Sequence, residues 1–257
     1  MTWNEGHGAV SRAFDDWRRA DAENRAFLRL TASWSQAAYE REWAQAEESL
    51  SSVFDPELHS GDEHVDMFHD AVGGLWPDSY QWIVEATVLR NGVTAFEVYL
   101  EKALREVVER WEVTLEGEKQ PHQVRLFTPK GFTSPGWGTL TKGHKALGSA
   151  VETAEVEWAR DLRHLLTHQN GELRTDAALQ KFRDPVAEKD AEEFGRASVG
   201  GRVRLGVARV TGVLDALAAV VGHADPAVLT YGPWGKKRDQ APINKLHEAK
   251  CLAFVRE

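Results

Sequence analysis

The segment 160–171, RDLRHLLTHQNG, gathers four side chains that could act together on a phosphate: Arg160, Arg163, His164 and His168. An imidazole can take or give a proton near neutral pH, and a guanidinium can hold a phosphate through two parallel hydrogen bonds. The combination suits proton-transfer chemistry on a phosphodiester. A simpler interpretation is also open, because cationic residues at a helix C-terminus complement the helix dipole and stabilise it by about 0.3–1 kcal/mol each.

The placement of these side chains follows from a helix predicted over about 150–168. Arg160, His164 and His168 follow one another at intervals of four residues, so they share one face of that helix. The other face carries three leucines, Leu162, Leu165 and Leu166. An Asn-Gly pair at 170–171 is expected to end the helix. The polar groups should therefore point away from the core.

A second amphipathic helix is predicted over about 79–112, where apolar residues recur every three or four positions. Asn91-Gly92 lies inside it and favours a kink or a close approach of another helix there. Residues 113–138, between the two helices, hold enough glycine and proline to forbid a long helix, and a short strand is expected at about 122–128. This insert mixes cationic with aromatic side chains, as is typical of surfaces that contact single-stranded nucleic acid. Ordinary loop packing would explain the same composition.

The remaining sequence also favours helices, so the predicted fold is all-α: a helical bundle with an irregular insert at about 113–138, formed by one domain over 1–257. Its predicted parts are an N-terminal helical arm (1–56), a core (79–172) and C-terminal helices (173–257). Within the arm, 9–51 is one long helix or two in tandem. Further helices are expected at about 62–76, 140–148, 176–183, 186–222 and 242–255, and Gly200-Gly201 is a candidate break within 186–222.

The charge is divided unevenly along the chain. Residues 1–118 carry 24 acidic against 10 basic residues, whereas residues 119–257 carry 16 acidic and 21 basic, within a net charge of −9. Segments 119–151 and 194–214 contain no acidic residue. A polyanion is therefore expected to meet the second half. The candidate RNA-binding residues are Lys119, Arg125, Lys130, Lys142, Lys145 and Trp137.

Arg163-x4-His168 resembles the signature of the HEPN superfamily of helical nucleotide-binding and ribonuclease domains, in which an arginine is followed by a histidine after four to six residues. The order of elements over 79–172 is similar to that family as well: a long helix containing VTAFEVYLEKAL, a variable insert, and a helix ending in R-x4-H. The resemblance implies a HEPN-type bundle. In one branch of the family a tyrosine lies two residues beyond the histidine, and this chain has Asn170 there.

The resemblance further implies metal-independent cleavage of RNA, with the RNA 2′-hydroxyl as nucleophile and a composite site where two copies of the motif face each other in a homodimer. Arg163 would clamp the phosphate and His168 would act as general acid and base, with Arg160, His164 and Asn170 in supporting roles. It also implies a bacterial toxin or antiviral defence effector with a neutralising or activating protein partner. The alternative is a non-catalytic RNA- or protein-binding scaffold domain.

Other classes of site find little support. The histidines His59, His64 and His69 are five residues apart, which rotates successive side chains by about 140° on a helix, so a metal cluster is not expected. The lone Cys251 has no neighbouring motif for nucleophilic catalysis and is expected to be buried. No nucleotide-binding glycine motif is present, so no cofactor is expected. With no run of about 18 apolar residues and no leader, the chain is expected to be cytoplasmic, without membrane contact.

Overall fold

The computed structural model describes residues 10–51, 77–109, 111–114, 117–183, 198–231 and 240–255, together with positions 53, 55, 57, 58, 60–63 and 66. It is mostly helical with one small sheet, so the predicted all-α class is confirmed. The helices are α1 (Arg12–Ser51), α2 (Pro77–Val108), α3 (Trp137–Ala146), α4 (Ala154–His168), α5 (Asp176–Phe182), α6 (Val207–Tyr231) and α7 (Ala241–Glu248).

The sheet consists of three antiparallel strands, β1 (Glu112–Val113), β2 (His122–Leu126) and β3 (Leu252–Val255), in the order β1-β2-β3. Gln123 pairs with Val255 and Leu126 with Leu252. The strand expected inside the glycine- and proline-rich insert is thereby confirmed as β2. The insert is shorter than predicted, because α3 already begins at Trp137.

The C-terminal part of the chain differs from the prediction in two places. Residues 198–206 are not helical, and α6 runs from Val207 through Pro226 to Tyr231 rather than ending near 222. A proline inside a helix costs about 3 kcal/mol, and burial of the neighbouring Ala224 and Val228 offsets that cost. The predicted helix at 242–255 ends at Glu248, and its last residues form β3 by pairing with β2. The helix predicted at 62–76 lies mostly outside the described residues.

The chain divides into two compact units, and the division passes through α1, α2, α4 and α6. The first unit comprises Met1–Ala22, Asn91–Leu165 and Gly212–Glu257. The second comprises Glu23–Arg90 and Leu166–Thr211. Each unit is built around its own stretch of α2, the helix with the most regular apolar periodicity.

The core of the first unit forms where α3, α6 and the start of α1 cover the second half of α2. Gly92 lies directly against Leu214 of α6, which confirms the close helix approach predicted at this glycine. His144 of α3 donates a hydrogen bond from Nε2 to the Leu100 carbonyl, at 3.0 Å. At the start of α1, the Ser11 hydroxyl bonds to Asp225 of α6. These contacts join four helices, α1, α2, α3 and α6.

Helix α6 bears on the expectation that no segment could span a membrane. By length and composition it is the one helix among the described residues that could cross a bilayer, with a mean hydropathy of 1.4 over 18 residues. A core helix of a globular domain meets the same criteria. Leu214, Leu217 and Val221 are buried within the first unit, and Asp225 is hydrogen-bonded there to Ser11. These contacts favour a core helix.

The second unit packs around Trp82 of α2. The Trp82 indole N–H donates to the Val203 carbonyl at 2.8 Å, and the Arg202 guanidinium lies 4.8 Å from the ring centroid. Gly171 fits against the same ring, since a Cβ there would approach Trp82 to 2.6 Å. The Val203 N–H donates to the Gly171 carbonyl at 2.8 Å. The segment that follows α4 is therefore held firmly within this unit.

Candidate functional site

Helix α4 presents the candidate catalytic side chains because its apolar residues occupy the opposite face. The Thr153 hydroxyl accepts the Val156 N–H and caps the helix at its start. The buried face consists of Val156, Ala159, Leu162, Leu165 and Leu166. After His168, Asn170 and Gly171 both adopt positive φ angles, 50° and 75°, and end the helix. The predicted leucine face and the predicted end of this helix are both confirmed.

The two arginines of α4 share a single carboxylate. Arg160 Nε donates to Glu97 Oε1 at 2.8 Å, and Arg163 Nη1 donates to Glu97 Oε2 at 3.2 Å. Arg160 also lies 3.7 Å above the ring centroid of Trp137 at the start of α3. All four residues belong to the first unit and are partly exposed. Two cations and one anion leave the cluster with a formal charge of +1.

The histidines of the motif are both exposed. His164 lies in the first unit beside Arg163, whereas His168 and Asn170 belong to the second. Five residues rotate an α-helix by a net angle of about 140°. Arg163 and His168 therefore project from different sides of α4, so one copy of the helix does not direct both toward the same point.

The residues predicted to contact RNA lie in separate places on the first unit. Lys142 and Lys145 of α3 line a shallow cavity of about 380 Å³ together with Lys250. Arg125 of β2 lines a larger groove of about 850 Å³. Lys119 and Lys130 are exposed loop residues outside both cavities. The sixth residue, Trp137, is half-buried beneath Arg160.

The larger groove also holds functional candidates that the sequence did not indicate. Arg12, Lys102 and Arg105 line it although they lie in the acidic half of the chain. Their helices bring them to the sheet, so charge counted along the sequence could not show them. Phe132 lines the same groove and is 72% exposed. Its aromatic character within a cationic loop was the sequence signal that could have indicated it.

Two buried histidines were likewise not predicted. His144 is fully buried, and the loss of hydration lowers the pKa of its imidazole to about 4 despite the hydrogen bond to Leu100. His122 of β2 is buried, with Nε2 2.6 Å from Glu118 Oε2. Both Nδ1 atoms are buried without a hydrogen-bond partner. These rings are enclosed by protein, so they serve the structure and do not reach a substrate.

Metal and thiol chemistry find no site in the part of the chain that the structure describes. Within it, no group of three or more His, Cys, Asp or Glu side chains could hold a metal ion. The three histidines weighed as a metal cluster, His59, His64 and His69, lie outside the described residues. Cys251 is buried as expected, and burial raises the pKa of its thiol, which makes it a poor nucleophile.

The geometry of α4 and its surroundings can be set beside known proteins. Comparison of the chain with models of protein families, with curated proteins and with solved structures found no match. The function is therefore inferred from the side chains of α4 and of the groove.

Proposed function

We propose that the protein is a metal-independent endoribonuclease of HEPN type that cleaves RNA with Arg163 and His168. The observation that carries the proposal is the solvent side of α4, where two exposed imidazoles accompany two guanidiniums that share one carboxylate. The +1 charge that remains on the arginine cluster favours a phosphate. The biological setting we propose, by the family resemblance, is a cytoplasmic toxin or antiviral defence effector controlled by a protein partner.

The chemistry needs no group beyond the RNA and the protein. A base removes the proton of the 2′-hydroxyl, the 2′-oxygen attacks phosphorus, and the bond from phosphorus to the 5′-oxygen breaks. A proton passes to the departing 5′-oxygen, leaving a 2′,3′-cyclic phosphate and a 5′-hydroxyl end. His168 carries these proton transfers, because histidine is the side chain most often used for general acid–base catalysis. Arg163 holds the phosphate and stabilises the charge that develops on it.

Helix geometry favours a site shared by two copies of the chain. Arg163 and His168 project from α4 about 140° apart, so a phosphate held by Arg163 of one copy is served more directly by His168 of another. A twofold dimer brings the same helix from both copies together and forms two equivalent sites. We therefore propose a homodimer as the active form. Arg160, His164 and Asn170 support the site by orientation or by contact with RNA.

A non-catalytic scaffold is the second candidate, and one observation favours it. Glu97 already binds Arg160 and Arg163, and Arg160 stacks on Trp137. These contacts join α2, α3 and α4, so the arginines have a structural use that needs no substrate. In the nuclease, a phosphate has to compete with Glu97 for Arg163. Partly exposed ion pairs contribute only about 0–1 kcal/mol, so this competition is easily won.

The deciding experiment is incubation of the purified protein with mixed cellular RNA in EDTA, beside Arg163→Ala and His168→Ala variants. We expect the wild type to leave 2′,3′-cyclic phosphate ends and each variant to lose at least about 100-fold in rate, since general acid–base catalysis contributes about 10²–10⁴-fold. Arg163→Ala does not leave Glu97 unpaired, because Arg160 remains bound to it. Circular dichroism should therefore show an intact fold.

Two matched substitutions separate catalysis from general loss of charge. Arg174 is an exposed arginine paired with Glu172, and His223 is an exposed histidine of α6. Arg174→Ala and His223→Gln should cleave RNA at the wild-type rate. RNA binding without turnover in the wild type would instead support the scaffold, and equal activity in all variants would remove Arg163 and His168 from the mechanism.

A further inference from the structure

The groove of about 850 Å³ lies in the first unit, between the sheet, the second half of α2 and the start of α1. Its volume of about 850 Å³ falls within the range of about 300–1,000 Å³ typical of sites for small ligands. Such a volume admits one or two nucleotides rather than a folded partner. The charged residues that line it are Arg12, Asp16, Lys102, Arg105, Glu106, Glu109 and Arg125.

The sheet turns one polar face toward solvent in this groove. Arg125 pairs with Ala253, and Gln123 pairs with Val255, so the four side chains lie on the same face. They are exposed or half-buried, whereas Val124 and Leu126 between them are buried. Ala253, the residue paired with Arg125, has a small side chain that leaves the area beside the guanidinium open. A flat ligand can therefore lie against the sheet there.

Charge pairing in the groove leaves one arginine available for an anion. Lys102 Nζ lies 2.6 Å from Asp16 Oδ2, and Arg12 pairs with Glu109 at 2.5 Å. Arg105 pairs with Glu101 at 2.6 Å. Arg125 has no carboxylate partner among the described residues, and its guanidinium donates only to the Gln123 side-chain oxygen at 3.0 Å. Because the other cations of the groove are already paired with carboxylates, Arg125 is the cation that can bind a phosphate.

Among the described residues, no cation forms an ion pair with Glu106, the third acidic residue of the groove. Its side chain is buried and accepts the Ala13 N–H at 2.6 Å. Burial raises the pKa of this carboxyl. The remaining acidic residues are engaged by Lys102 and Arg12. The groove is therefore compatible with an anionic ligand.

Phe132 supplies a stacking surface at the edge of the groove. The Phe132 N–H donates to the Pro129 carbonyl at 3.1 Å, and Gly131 has a φ of 88°, which together form a tight turn. The turn holds the aromatic ring in the groove wall although 72% of the residue is exposed. An exposed aromatic ring in the same groove as an arginine is a combination that can bind unpaired bases by stacking and phosphates by charge.

We propose that this groove binds a single-stranded RNA segment of one or two nucleotides, with a base stacked on Phe132 and a phosphate held by Arg125. The inference depends on the proposed function for its substrate class. It goes further by assigning a substrate-binding site that includes Phe132 and is separate from Arg163 and His168. An acidic peptide would satisfy Arg125 but would leave the Phe132 ring without a flat partner.

The test uses a short fluorescent RNA whose 2′-hydroxyls are all methylated, so that it binds but cannot be cleaved by 2′-oxygen attack. Binding is followed by fluorescence anisotropy at several salt concentrations. We expect Phe132→Ala and Arg125→Ala each to raise Kd by about tenfold or more. Only Arg125→Ala should also reduce the salt slope, by about 0.7 for one lost phosphate contact on a single strand.

Matched controls are Phe127→Ala, an exposed aromatic residue outside the groove, and Arg174→Ala, an exposed arginine of the second unit. Both should bind as the wild type does. Equal Kd values for the wild type and the groove variants would overturn the inference, as would binding of poly-L-glutamate without binding of the methylated RNA.

Cleavage of unmethylated RNA by the same proteins separates this inference from the proposed function. If the groove variants lose binding while the wild type never cleaves RNA, the groove assignment holds and the nuclease fails. If the wild type cleaves RNA and the groove variants keep full affinity for the methylated strand, the nuclease holds and the groove assignment fails.

Discussion

At the scale of single residues, His144 shows how enclosure by protein changes an ordinary side chain. Its ring lies beside Tyr99, with centroids 6.5 Å apart, and its Nε2–H group donates to the Leu100 carbonyl. Protonation would place a positive charge where no water can solvate it, and this is why the pKa falls to about 4. The His144 ring is therefore neutral in the folded first unit.

This residue gives the protein a predicted loss of stability in acid. In the unfolded chain His144 titrates near 6.5, so as the pH falls from about 6.5 toward 4 only the unfolded state gains the proton. The free energy of unfolding therefore falls by about 3 kcal/mol over this pH range because of His144. Denaturant unfolding at pH 7 and pH 4.5 should show this loss in the wild type.

His144→Gln should be less sensitive to pH, because glutamine can donate to the Leu100 carbonyl but does not titrate in this range. His223→Gln, at an exposed position of α6, should keep the wild-type pH dependence. Equal losses of unfolding free energy in the wild type and His144→Gln would show that the buried imidazole is not the cause.

At the scale of elements, glycines decide where α4 ends and how closely helices approach. Gly171 has a φ of 75° and lies against Trp82, so both backbone conformation and space exclude a side chain. Gly212 of α6 has ordinary helical surroundings, and a Cβ there would meet nothing within 4 Å. Replacing glycine by alanine should therefore have opposite effects on the free energy of unfolding at the two positions.

We predict that Gly171→Ala lowers the free energy of unfolding by about 1–3 kcal/mol, through strain in the left-handed backbone and overlap with Trp82. Gly212→Ala should raise it by about 0.5–1 kcal/mol, because alanine is the better helix former. Urea unfolding of both variants measures the two signs. A Gly171→Ala protein as stable as the wild type would mean that Trp82 and the turn can move aside at little cost.

At the scale of the whole molecule, the proposed dimer makes a claim that single variants cannot test. If Arg163 of one copy acts with His168 of the other, a heterodimer of Arg163→Ala and His168→Ala chains contains one complete site and one empty site. Each parent homodimer contains none. Because the dimer is twofold symmetric, the activity of this heterodimer tests whether each site combines residues of both chains.

Co-expression of the two variants with different affinity tags allows the heterodimer to be isolated. We expect it to cleave RNA at about half the wild-type rate, one of two sites being intact, while both homodimers remain inactive. Light scattering should give twice the chain mass of 28.8 kDa. An inactive heterodimer would mean that both residues must come from the same chain, or that each site needs all four side chains.

Much of the fold could be predicted from the chain alone. Leucines 162, 165 and 166 fixed the buried face of α4, and the Asn-Gly pair fixed its end, because helix periodicity and glycine conformation are local properties. Apolar periodicity likewise identified α2, and the glycine at position 92 indicated the close approach of another helix. The C-terminal strand was missed, since Leu252–Val255 is extended only by pairing with β2, more than 120 residues earlier.

The sequence by itself determined that the chain is helical and that Arg160, His164 and His168 share a face of one helix. Only the tertiary structure decided what those side chains meet: Glu97 binds both arginines, and Trp137 stacks on Arg160 instead of facing an open surface. It alone also brought Arg125 and Phe132 into one groove with residues of α1 and α2. The reason is that periodicity is set by neighbours along the chain, whereas ion pairs and grooves join residues that only folding brings together.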